Sequence, residues 1–204
     1  MRQLIRAHNR AYSLQSLVFL LIASISNAQA IEFTTEHNTE SEKKTIELIK
    51  SLNKAHNLTK WQFSEVIHIN SKAIPHSHPI LTLHTRHNKS QDIDLLLSTY
   101  LHENIHWYLD EHQAELTNII TVLKKRYPNV AIGFPEGARD EYSTYLHIVV
   151  CFLELDAIRQ LLSASRYAKI ARFWQQDHYT WIYKFIVEHD NEIAMLIKQH
   201  KLLL

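Results

Sequence analysis

His102, Glu103 and His106, within "TYLHENIHWYL" (Thr99 to Leu109), spell H-E-x-x-H. On a helix the two histidines lie one turn apart on the same face, so both imidazoles can reach one metal ion. Glu103 is rotated from them by about 100°, close enough to act on a water at that ion without being a ligand. This is the residue set of metal-assisted hydrolysis, with a general base beside a Lewis acid. The chain carries 15 histidines, and its composition alone gives about 0.07 accidental matches to the pattern. The immediate neighbours Leu101, Asn104, Ile105, Trp107 and Tyr108 are all uncharged, as a buried metal-binding helix requires. Charge returns only at Asp110 and Glu111.

On "TYLHENIHWY" the chain resembles the zincin metallopeptidases. The resemblance implies one zinc ion bound by His102 and His106, with Glu103 as the general base. A catalytic zinc needs a third protein ligand and an open position. The metzincin layout puts that ligand six residues after the second histidine, where His112 stands. It also wants glycine at position 109, and this chain has Leu109. On an uninterrupted helix His112 would point away from the metal, rotated about 240° from His106. The gluzincin layout takes a glutamate from a later helix with an aspartate one turn on, and "EGARD" offers Glu136 and Asp140 in that spacing.

A competing donor comes from the residues themselves. His147 lies in the apolar run "YLHIVVCFLEL", where an imidazole must find a partner. Asp140, Thr144, Cys151 and Glu154 share its helical face, forming a polar stripe on an otherwise buried helix. His147, Glu136, Glu141 and His112 therefore all stand as third-ligand candidates, and on one helix Glu136 and His147, about 16 Å apart, could not both reach one metal. Tyr142, Tyr145 or an unused His147 could donate to an oxyanion. The chemistry expected is amide hydrolysis of a peptide or protein. The rival reading is a non-catalytic zinc-binding or interaction domain that keeps the motif helix. Under it, His76, His78, His84 and His87 in "PHSHP" and "HTRH" would suit metal buffering.

The elements that must position these residues follow from composition. The chain has 204 residues, 46% of them hydrophobic, with two glycines and four prolines. That describes one α-rich domain, mainly α with a small β region, over residues 31–204. Residues 1–30 read as a secretory signal: Arg2, Arg6 and Arg10, then the apolar "SLVFLLIASI", then "AQA", which predicts Ile31 as the mature N-terminus. Cleavage leaves 19 basic against 21 acidic residues, which provides no basic field for nucleic acid or anionic lipid. The apolar run is too short for a comfortable membrane span. The protein is therefore expected in a periplasm or outside the cell, without a stable membrane anchor. The single cysteine, Cys151, is expected to be a small buried hydrophobe.

Helices are expected in "TIELIKSLNKAHNL", in one or two segments from Gln91 to about Tyr127 with Ser90 as cap, from Pro135 through "EGARDEYSTYLHIVVCFLELDAIRQLL", and in "HYTWIYKFIVEHDNEIAMLIKQH". "WQFSEVIHI" and "PILTLHTRH" are rich in β-branched and aromatic residues. In the second, alternation predicts a strand with Ile80, Thr82 and His84 on one side and Leu81, Leu83 and Thr85 on the other. That strand would be free to pair with an extended peptide, as the strand beside the active helix does in zincins.

Overall fold

The computed structural model describes residues 31–204; the signal-like segment lies outside the described residues. The first strand, β1 (Glu32–Thr35), leads into helix α1 (Glu40–His56) and returns as β2 (Val66–Ile69). Thr39 and Glu42 close a capping box at the start of α1, satisfying donors that the first turn leaves free. Strand β3 (Leu81–Leu83) follows, and the three strands form a parallel sheet in the order β1-β2-β3. The strand expected in "PILTLHTRH" is thus present. Leu81, Thr82 and Leu83 are all buried, because the strand is covered on both faces.

The remainder is helical: α2 (Ile93–Glu111), α3 (Gln113–Arg126), α4 (Glu141–Leu161), α5 (Ala164–Asp177), α6 (Thr180–Glu188) and α7 (Asp190–Gln199). The architecture is mainly α with one small sheet, an α+β arrangement. Helices α2 and α4 pack against each other at the centre, and α2 also covers β3. Both carry buried residues on nearly every face, and this explains their weak amphipathicity in sequence. One contiguous hydrophobic core runs from Ile49 of α1 to Leu202. Among the described residues no helix is long and apolar enough to cross a membrane.

Several expected boundaries shift for identifiable reasons. Ser90 begins a short 3-10 turn, and α2 starts at Ile93. The Gln91–Tyr127 stretch forms two helices that part at His112, whose φ and ψ of −121° and 38° leave the helical range. Pro135 does not open α4. Asp140 caps that helix, accepting a hydrogen bond from the Ser143 backbone N–H at 2.7 Å, and residues 131–139 form a loop. The last helical stretch divides at His189 into α6 and α7. Helix α5 is additional, although Tyr167, Ile170, Ala171 and Trp174 recur at helical spacing.

Candidate metal centre

Asn104, between the motif histidines, shows how α2 is fixed. Its Oδ1 accepts from the backbone N–H groups of Phe63 (3.0 Å) and Ser64 (3.2 Å), and its Nδ2 donates to the Tyr100 carbonyl at 3.0 Å. Arg166 of α5 forks onto Asp94 near the helix start. With the axis and rotation set in this way, His102, Glu103 and His106 face a cleft of about 580 Å³.

The imidazoles of His102, His106 and His147 meet at this cleft, with one donor nitrogen from each lying within 4.8 Å of the other two. Zinc–nitrogen bonds run about 2.0–2.1 Å, so one ion would be reached by the three nitrogens only once side-chain rotation drew them closer. Their surroundings leave nitrogens free for it. His102 Nδ1 is 2.9 Å from Glu154 Oε2, so its Nε2 faces the cleft. His147 Nδ1 donates to the Ser143 carbonyl at 2.7 Å; as a carbonyl can only accept, Nε2 carries the lone pair. Neither ring nitrogen of His106 has a hydrogen-bond partner among the described residues. An imidazole left without a partner in a mostly enclosed cluster fits a metal ligand.

Electrostatics favour neutral rings at two of the three positions. Burial, with the nearby His102, lowers His147 to about 3. Burial and the other two histidines of the site hold His106 well below its ordinary range. At His102 burial acts the same way, but hydrogen bonding to Cys151 and Glu154 outweighs it and holds that ring well above. Burial pushes the Glu103 carboxyl up to about 7, against the pull of His102 and His76. Glu103 is 6% exposed and its carboxylate forms no hydrogen bond among the described residues. It is therefore free to take and return a proton near neutral pH.

Glu154 holds His102 in place. The carboxylate accepts from the Tyr183 hydroxyl at 2.7 Å and from the Ser98 hydroxyl, and Trp174 Nε1 donates to Ser98 Oγ at 2.8 Å. A carboxylate on the far nitrogen of a ligating histidine fixes its tautomer and raises its basicity. Cys151 and Glu154 also lie within donor range of His102. However, burial keeps the Cys151 thiol protonated and three donors already occupy Glu154, so this group supports the His102 ring.

The polar stripe anticipated on α4 faces α2 and the loop before it. Thr144 bonds the Ala131 carbonyl and the Ala138 N–H at 3.1 Å each, while His147, Cys151 and Glu154 face His102. The other expected candidates fall elsewhere. Glu136 stands exposed in the 131–139 loop, because α4 begins six residues later than Pro135 suggests. Glu141 is exposed and paired with Lys124 at 2.7 Å. His112 Nδ1 donates to the Tyr108 carbonyl at 2.8 Å. Asp140 serves the N-terminus of α4 and pairs with Arg139. Tyr142 is half exposed, and Tyr145 is buried with its hydroxyl on the Tyr127 carbonyl at 2.6 Å.

None of His76, His78, His84 and His87 belongs to a group of three donors able to share an ion among the described residues. His78 stacks on Trp107 at 4.2 Å and pairs with Asp110 at 2.7 Å. His87 is buried edge-on against Phe173 and Trp174. His76 exchanges both backbone hydrogen bonds with Thr82, at 3.1 and 2.8 Å. The outer edge of β3 is thus taken at Thr82, where a peptide was expected to pair.

Tyr179 is the residue that the sequence gave no reason to single out. It lies between α5 and α6 with φ of 50°, and its hydroxyl sits 3.1 Å from His147 Nε2. With Nε2 as acceptor, the phenol is the donor. Burial raises its pKa, so it keeps its proton. In comparisons with protein-family models, curated proteins and solved structures, nothing matches this chain.

Proposed function

We propose that the protein is an exported zinc metallopeptidase of zincin type, hydrolysing amide bonds with Glu103 as general base. The observation that carries this reading is the convergence of three imidazoles with an unpaired, buried carboxylate on one open cleft. His102, His106 and His147 would hold the ion, His102 giving up a ring proton to do so. Zinc bound there supplies a Lewis acid that polarises a carbonyl oxygen and acidifies water.

The chain's own groups supply the rest. Glu103, buried and without a hydrogen-bond partner among the described residues, would take a proton from the attacking water and deliver it to the leaving amine. Tyr179 donates to His147 Nε2; were that nitrogen to hold an ion, the phenol would be available as a donor to a developing oxyanion. Glu154 keeps the His102 ring turned toward the cleft. The basic, apolar and small-residue sequence of residues 1–30 supports export.

The test is cleavage of a peptide library by zinc-loaded protein, with and without chelator. Glu103→Gln should keep zinc and lose activity by about 10²–10⁴-fold. Zinc-dependent cleavage that survives this substitution would remove Glu103 from the mechanism. Zinc binding with no cleavage of any peptide would favour the non-catalytic reading.

A further inference from the structure

The chain contains two glycines, Gly133 and Gly137, and both lie in the loop before α4. Gly133 has φ of 89°, and a Cβ on Gly137 would stand 1.9 Å from the Ala131 carbonyl oxygen. The loop they permit is tightly tied. Gly133 N–H donates to the Ala138 carbonyl at 2.7 Å and Gly137 N–H to the Gly133 carbonyl at 2.8 Å. The carbonyls of Pro135 and Glu136 accept from Thr180 and Trp181 at 3.0 and 3.1 Å, fastening the loop to the start of α6 beside Tyr179.

This well-bonded loop holds Phe134 at 76% exposure on the cleft lined by Glu103, His106 and His147. Ile74, 84% exposed, lines the same cleft from the loop between β2 and β3. That loop is also held, by the His76–Thr82 pairing and by Trp107 Nε1 donating to the Ser77 carbonyl at 2.9 Å. Two bonded loops that each hold a large apolar side chain in water beside one cleft form a surface that gains free energy when an apolar group covers it.

We propose that Phe134 and Ile74 form an apolar recognition subsite, so that the substrate is a peptide with a bulky apolar side chain near the scissile bond. This rests on the proposed peptidase activity for its substrate but is tested by binding. The probes are fluorescein-labelled, end-blocked alanine hexapeptides carrying one central phenylalanine, leucine, serine or glutamate. Binding is read by fluorescence anisotropy on the zinc-loaded, full-length mature Glu103→Gln protein. Phenylalanine and leucine peptides should bind about tenfold or more tighter than the serine peptide. Phe134→Ser and Ile74→Ser, each in that background, should remove most of the difference, with circular dichroism unchanged.

Equal binding of all four peptides, or a preference untouched by both substitutions, overturns the proposal. So does Phe134-dependent binding to phosphatidylcholine vesicles without any peptide preference, which would make the surface a membrane contact. Cleavage of the same peptides by the unsubstituted protein separates the two ideas. Cleavage with equal binding sinks only the subsite, while selective binding without cleavage sinks only the peptidase.

Discussion

Glu154→Gln tests whether the buried carboxylate governs metal affinity. Glu154 is 1% exposed and uses both oxygens, Oε1 for Ser98 and Oε2 for Tyr183 and His102. A glutamine in its place must choose an orientation. An amide NH₂ at the Oε2 position would face two donors, whereas at the Oε1 position it meets Ser98, whose hydroxyl can turn to accept. The amide oxygen therefore stays on His102, and the ring keeps its orientation but loses the charged partner. Loss of such a partner weakens metal binding by about 10–100-fold, and a retained neutral hydrogen bond belongs at the lower end. The expected rise in zinc Kd is about tenfold, or about 1.4 kcal/mol. Glu154→Ala should approach ~100-fold, with a separate loss of stability because the Ser98 and Tyr183 hydroxyls lose their acceptor. The assay is zinc competition against a chromophoric chelator, with thermal denaturation of the zinc-free proteins as control. A Kd unchanged within twofold in both folded variants would refute the claim that Glu154 tunes His102.

Other substitutions separate the candidate donors and test the scaffold. His147→Ala should abolish stoichiometric zinc binding while Glu136→Ala leaves it intact, as measured by metal analysis after dialysis; the opposite pattern would move the third ligand to Glu136. Glu42 is buried; burial raises its carboxyl pKa, but backbone N–H donors from Thr39, Ser71 and His37 outweigh that and hold it at about 2. Its folded pKa is below the ordinary 4.5, so its contribution is present above about pH 4.5 and lost as pH falls toward about 2. Glu42→Gln should flatten that part of a urea-denaturation pH profile, and an unchanged acid slope would contradict the assignment. Gly137→Ala should cost about 1–3 kcal/mol through the Ala131 carbonyl, read as a lower denaturation midpoint; an unchanged midpoint would show that the loop yields freely.

Much of the site was legible because local periodicity states which residues share a face. An i, i+4 spacing is enough to put His102 and His106 together, and the stripe through Thr144, His147, Cys151 and Glu154 marks one side of α4 before any packing is known. Burial of the motif helix could likewise be read from its uncharged neighbours. Backbone breaks were less legible. Proline at 135 is compatible with a helix start, yet Asp140 makes the better cap, and the helix start six residues later leaves Glu136 in the exposed loop. The parallel pairing of β1 with β2 joins segments on either side of α1, beyond the reach of local pattern.

The sequence by itself determined the reactive residue types and their helical faces. Only the tertiary structure brought His147, rather than Glu136, beside His102 and His106, because that placement depends on how α2 and α4 pack. His102 meets Glu154 across 52 residues, and Tyr179 meets His147 across 32. Such contacts arise from packing one buried face against another, and a periodicity within either segment holds no information about the partner it will meet.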